Sequence, residues 1–115
     1  MKQNIIKDKT YEFALQIIHH YQKMQQQNEY VLSKQLLRSG TSIGANVEEA
    51  IAAQSRKDFI SKISISSKEA RETNYWLRLL RDSNLCEDID YDELIKESEE
   101  IIKILTSIVK TTQKR

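Results

Sequence analysis

The 115 residues include no proline and only two glycines, and both glycines fall within one short stretch, RSGTSIGANVEEA, at positions 40 and 44. Proline and glycine are the strongest local interrupters of regular backbone. A chain this poor in them can run in long unbroken helices and is badly supplied for the many turns of a sheet. Whether residues 38–50 are a loop or a helix interior therefore decides the architecture. Leu36, Leu37, Gly40, Ile43, Gly44, Val47, Ala50 and Ile51 recur at spacings of three and four on one face, while Lys34, Arg38, Thr41, Glu48 and Glu49 take the other. That division runs through both glycines, so the stretch reads as helix, over about residues 30–53. Each interior glycine costs about 1 kcal/mol relative to alanine, a cost that close approach of a neighbouring helix can offset.

Three more amphipathic segments complete the chain. Ile6, Thr10, Phe13, Ala14, Ile17, Tyr21 and Met24 make one stripe, predicting a helix over about 7–26 that stops near Asn28. Ser55 suits an N-cap, with Asp58 in the first turn, and opens a helix over about 56–82 whose inner line is Phe59, Ile63, Ser66, Ala70, Thr73, Leu77 and Leu80. Asn84 suits a left-handed stop. Asp90 followed by Glu93 resembles a capping box, and Leu94, Ile101, Leu105 and Ile108 carry the last helix to about 111. Four such helices joined by short loops predict a single all-α domain over residues 1–115, an antiparallel up-down-up-down four-helix bundle.

If the second and third helices turn near Ser55, facing residues have numbers summing to about 110. This pairs Val47 with Ile63, Gly44 with Ser66 and Gly40 with Ala70, a seam of small residues. In a competing arrangement Phe13 and Ile17 of the first helix fill the glycine notches.

One bundle cannot bury every apolar line. Ile65, Tyr75, Trp76 and Leu79 run roughly opposite the core line of the third helix, Tyr11, Leu15 and Ile18 lie off the first helix's stripe, and Ile95, Ile102, Ile104 and Val109 spread around the last. Aligned lines with a Trp mark a subunit interface, with closed cyclic symmetry the expected form. The alternative is a monomer in which an irregular segment at residues 1–6 covers one face.

Charge and chemistry narrow function mostly by exclusion. Eighteen basic and seventeen acidic residues leave a net charge of +1, too little for a strong field toward nucleic acid or anionic lipid. Residues 82–100 nevertheless hold nine acids and one base. No acid stands three residues before His19 or His20, as a di-iron bundle would require. The lone Cys86 lies among acids that disfavour a thiolate, and Glu48, Glu49, Glu69 and Glu72 read as solvated or interface-paired. No phosphate-cradling GxxxxGK[ST] loop is present. The expectations are no enzyme activity, no metal and no cofactor. With no membrane-length apolar run, an N-terminus too polar for a signal peptide and a single cysteine, the expected location is the cytoplasm.

Residues 30–80, with the blocks RSGTSIGAN and KEARETNYWL, closely resemble the 23S rRNA intervening-sequence protein family, and the opening NIIKDKTYEFALQII is similar to that family's start. The resemblance implies a small bacterial four-helix bundle assembling into a ring-like homo-oligomer, commonly a pentamer, encoded in many cases inside rRNA genes. Relatives serve as accessory proteins of diversity-generating retroelements, where a basic ring engages reverse transcriptase and nucleic acid. Two functions follow as expectations: a noncatalytic oligomeric scaffold for a protein partner, or an accessory binding RNA or DNA through Lys34 and Arg38 on the second helix and Lys68, Arg71 and Arg78 on the third.

Overall fold

A computed structural model describes the backbone of residues 2–114 and the side chains from Ile5 to Lys114. Four helices follow in order, α1 (Lys2–Gln26), α2 (Leu32–Ile51), α3 (Arg56–Ser83) and α4 (Tyr91–Gln113), with no strand among the described residues. They form a rod of 47 × 20 × 20 Å. Each helix packs on the next in sequence, α1 meets α4 over a much thinner seam, and among the described residues the backbones of the diagonal pairs, α1 with α3 and α2 with α4, stay more than 8 Å apart between Cα atoms.

Local chemistry sets the ends. Asn28 takes φ 66°, and two bonds close a left-handed cap there: the Asn28 amide donates to Gln25 O (3.0 Å) and the Glu29 amide to Met24 O (3.0 Å). Asn84 stops α3 in the same left-handed conformation. The Ser55 hydroxyl accepts from the Asp58 amide at 3.0 Å, and the Asp90 carboxylate accepts from the Glu93 amide at 3.2 Å. The start of α2 uses a residue with no signature in the sequence. Glu29, in the loop, receives the amides of Val31, Leu32 and Ser33 at 3.2, 2.9 and 2.7 Å, while its own carbonyl accepts from the Ser33 hydroxyl.

The helical reading of residues 38–50 holds: α2 is continuous and neither glycine needs a positive φ. The axial register of α2 on α3 also matches expectation. The Ser66 hydroxyl donates to Ile43 O at 2.8 Å, and Thr73 Oγ1 lies 2.9 Å from Ser39 Oγ. What differs is the direction of the notches. A Cβ on Gly40 would meet Cγ1 and Cγ2 of Ile17 at 2.9 Å, and one on Gly44 would meet Thr10 Oγ1 at 3.2 Å and the Thr10 backbone at 3.4 Å. The glycines thus open toward α1. Ser66 and Thr73 face Ile43 and Ser39 on the other edge of α2's buried arc, and Thr10, rather than Phe13, sits in the second notch.

Other boundaries shift modestly. α1 begins at Lys2, so residues 2–6 are helix and Ile6 is core; Met1 lies outside the described residues. Ile51, the last residue of α2, is exposed, and Leu37, at the edge of α2's apolar arc, is only half-buried. Ile95 is buried, and Ile102, Ile104 and Val109 pack partly against the core.

Candidate functional site

The residues left over after the core has formed fall into two apolar lines. On α1, Tyr11, Leu15 and Ile18 are 57%, 46% and 39% exposed at i, i+4 and i+7, the spacing of one helix face. On α3, Ile65, Tyr75 and Leu79 are 39%, 48% and 37% exposed. Since α1 and α3 stand across the diagonal of the bundle, the lines occupy diagonally opposite corners of the rod.

Trp76 is not an outward anchor. It is half-buried against the core, its indole Nε1 donates to Glu72 Oε2 at 2.9 Å, and Tyr75 packs edge-on to it with centroids 5.3 Å apart. Glu72 also receives Arg38 from α2, and Glu69 lies 3.2 Å from the same guanidinium. These acids are therefore interface-paired, as is Glu49 with Lys62 at 3.3 Å. The pairs lock α2 to α3 along the outer edge of their seam.

Those pairs break up the basic residues singled out in the sequence. Arg38 is committed to Glu69 and Glu72, leaving Lys34 exposed beside it on α2. Lys68 is exposed on α3. Arg71 and Arg78 instead line depressions shared with α4, and Arg78 donates Nε to Asn74 at 2.8 Å while lying 5.7 Å from the Tyr75 ring centre. The structure does not bring the five together.

Titratable groups collect at the end where the α3–α4 loop covers α1. The Gln27 side chain clips Glu87 by both backbone groups, at 2.8 and 2.7 Å, and Lys23 reaches Asp88. Beneath the loop, burial and then the Glu29 charge raise the Cys86 thiol above its ordinary pKa. Burial, with Cys86 and Glu29 adding, pushes Tyr91 up to about 12. Burial first, then the charges of Lys23 and His19, holds His20 below the usual histidine value. His20 Nδ1 and the Tyr91 hydroxyl are buried without hydrogen-bond partners among the described residues. The shifts on Cys86 and Tyr91 favour the protonated group, the opposite of what a thiolate or phenolate nucleophile needs, while His20 is held toward neutral imidazole. Among the described residues, no three His, Cys, Asp or Glu side chains stand close enough to hold a metal ion, and no helix is long and apolar enough to cross a membrane.

Comparison with known proteins agrees with the geometry. The chain matches the 23S rRNA-intervening sequence protein family over residues 2–107. It is similar to a crystal structure of a protein of unknown function from the S23 ribosomal protein family of Bacteroides thetaiotaomicron, at 51% identity and a TM-score of 0.91, covering 96% of this chain and 99% of that one. No curated protein matches. The match over nearly the whole length, with a half-identical relative of the same fold, places this chain in the 23S rRNA-intervening sequence protein family.

Proposed function

We propose that this protein is a noncatalytic scaffold whose copies join head-to-tail into a closed ring that presents a surface to a protein partner. The observation that carries the reading is the pair of exposed apolar lines at diagonally opposite corners of one rod. A single isologous contact would bury one line and leave the other in water. Contact between the α1 line of one copy and the α3 line of the next buries both, and such heterologous contacts close into rings when the rotation per subunit allows it. Five subunits is the number the family resemblance implies.

Light scattering coupled to gel filtration tests this. The parent is expected as one oligomer, and Leu15→Glu and Leu79→Glu are each expected to fall apart. Mixed in equal amounts, the two variants should form a dimer, because each keeps the face the other lacks. A monomeric parent would reject the reading, as would two variants that fail to pair when mixed.

A further inference from the structure

The furrow between α3 and α4 and the loop that joins these two helices carry opposite charge and lie toward opposite ends of the rod. The furrow, of about 580 Å³, holds Arg71 from α3 with Lys103, Lys110 and Lys114 from α4, and no acid. All four cations are exposed, and none is in an ion pair among the described residues, whereas Lys9, Lys23, Arg38, Lys62 and Arg81 all are. Ile102 lines the same furrow and Val109 the depression beside it, both half-buried, so apolar surface accompanies the charge.

The loop end is the reverse. Residues 82–93 hold six acids and no base. Arg81 is shared by Asp82 and Asp92, and Lys23 takes Asp88, but Glu87 and Glu93 are exposed and in no ion pair among the described residues. Leu85, 53% exposed, stands in the same loop. The loop is also held in shape before anything docks: Asn84 and Asp88 take left-handed backbone, and Gln27 clips Glu87 by both backbone groups. Little ordering entropy is therefore lost on contact. An exposed leucine flanked by acids matches a cationic furrow with apolar surface in both charge and polarity. The two cannot meet within one copy, because Lys110 stands 17 residues beyond Glu93 on α4, about 25 Å at 1.5 Å per residue.

We infer that the furrow receives the α3–α4 loop of a second copy, its acids among the four cations and Leu85 against Ile102, so that rods dock end to end. This contact uses neither of the apolar lines on α1 and α3. It is heterologous, so each docked copy leaves its own furrow open for the next. The docking needs no ring, but its consequence for rings rests on the side-by-side assembly proposed above. Cyclic symmetry gives all rods of a ring one polarity, which puts the loops on one rim and Lys110 and Lys114 on the other, and rings then stack rim to rim. A single exposed ion pair is worth at most about 1 kcal/mol. Several act together between two rings, because every contact after the first is intramolecular.

Sedimentation velocity of the purified protein at about 0.01 M and about 1 M salt tests this, since the screening length falls from about 30 Å to about 3 Å between them. At low salt the parent should show species of twice the mass of its basic assembly and above, and at high salt it should lose them. Glu87→Lys with Glu93→Lys, and separately Lys110→Glu with Lys114→Glu, should each lose them at low salt as well. Mixed in equal amounts, the two reversed pairs should recover them, because each now attracts the surface altered in the other. Carbodiimide coupling of the parent joins a lysine amine to a carboxylate in direct contact. It should link Lys110 or Lys114 to Glu87 or Glu93, a link that no single copy can make. The inference is overturned by a parent with no such species at low salt, by a reversed pair that associates as the parent does, or by a mixture that recovers nothing. Couplings of Lys110 and Lys114 that avoid residues 82–93, or association that requires added RNA, overturn it equally. A parent monomeric at high salt that associates at low salt rejects the ring and leaves the docking standing, and a ring at both salts with no larger species does the reverse.

Discussion

Adding one methyl group at Gly40 sets helix propensity against packing. Alanine there would gain about 1 kcal/mol of propensity. Its Cβ would also stand 2.9 Å from both Cγ atoms of Ile17 and 3.4 Å from its Cβ. Ile17 is fully buried and β-branched, so in a helix it holds one rotamer and cannot swing aside. Relief must come from moving α1 bodily, and overpacking of this kind costs about 1–3 kcal/mol. The net expectation is that Gly40→Ala destabilises by about 1 kcal/mol, which lowers Tm by about 4 °C for a chain of this size. Gly44→Ala meets Thr10 at 3.2–3.4 Å, a gap that closes by a few tenths of an ångström, and should come out near neutral. Gly40→Leu puts three more heavy atoms into filled space and should cost more than about 3 kcal/mol, much of the stability of a small domain. Urea melts at two protein concentrations separate these effects from assembly. Ile17→Ala supplies the decisive cycle: with the Cγ atoms gone, Gly40→Ala should become stabilising, a coupling of about 1–2 kcal/mol. A Gly40→Ala midpoint at or above the parent's would refute the reasoning, as would coupling to Ala70→Gly in place of Ile17.

Glu29 should make stability depend on pH. Burial opposes its ionisation, but the amides of Leu32 and Ser33, the Ser33 hydroxyl and the Val31 amide outweigh burial and hold the carboxyl below its ordinary value. A lowered folded pKa adds stability that is complete above the unfolded value of about 4.3 and disappears as pH falls through the folded one. Glu29→Ala should therefore cost about 1 kcal/mol at neutral pH, the usual worth of an N-terminal cap, and the gap in urea midpoint should narrow below about pH 4; a gap constant down to pH 3 would be inconsistent with the cap. Cys86, 6% exposed and with its thiol raised by burial, should react with a thiol reagent far more slowly than free cysteine. Urea should abolish the difference, and fast labelling of the folded protein would contradict the buried loop.

Much of the fold was legible because it is decided over a few residues. Asn28 and Asn84 terminate helices by adopting the left-handed region, and Ser55 and Asp90 cap by reaching three residues ahead, so each signal lies beside its effect. The height at which α3 meets α2 was legible too, since a short turn fixes how two antiparallel rods pair along their length. Glu29 escaped because it caps from the loop through a long side chain, outside the short polar residues that mark a helix start.

Which neighbour fills the glycine notches was not legible, and the reason is geometric. The buried arc of α2 has two edges, Ser39 and Ile43 on one and Gly40 and Gly44 on the other, and α1 and α3 each take one. Hydrophobic spacing gives the arc but not the handedness of the bundle, and reversing that handedness exchanges the edges without altering any spacing. Residue numbers summing to about 110 place Gly44 and Ile43 at nearly the same height opposite Ser66, so the pairing rule cannot tell them apart. The same ambiguity applies to the depressions shared by α3 and α4. Spacing along α3 groups Arg71 and Arg78 with Lys68 and says nothing of what stands across from them on another helix. Arg71 shares a depression with Lys103 and Lys110, and Arg78 one with Glu99, all on a helix whose side of α3 only the closed bundle determines. Azimuth around each helix, rather than position along it, is therefore what coordinates add for a chain of this kind, and both the packing seam and the surroundings of Arg71 and Arg78 depend on it.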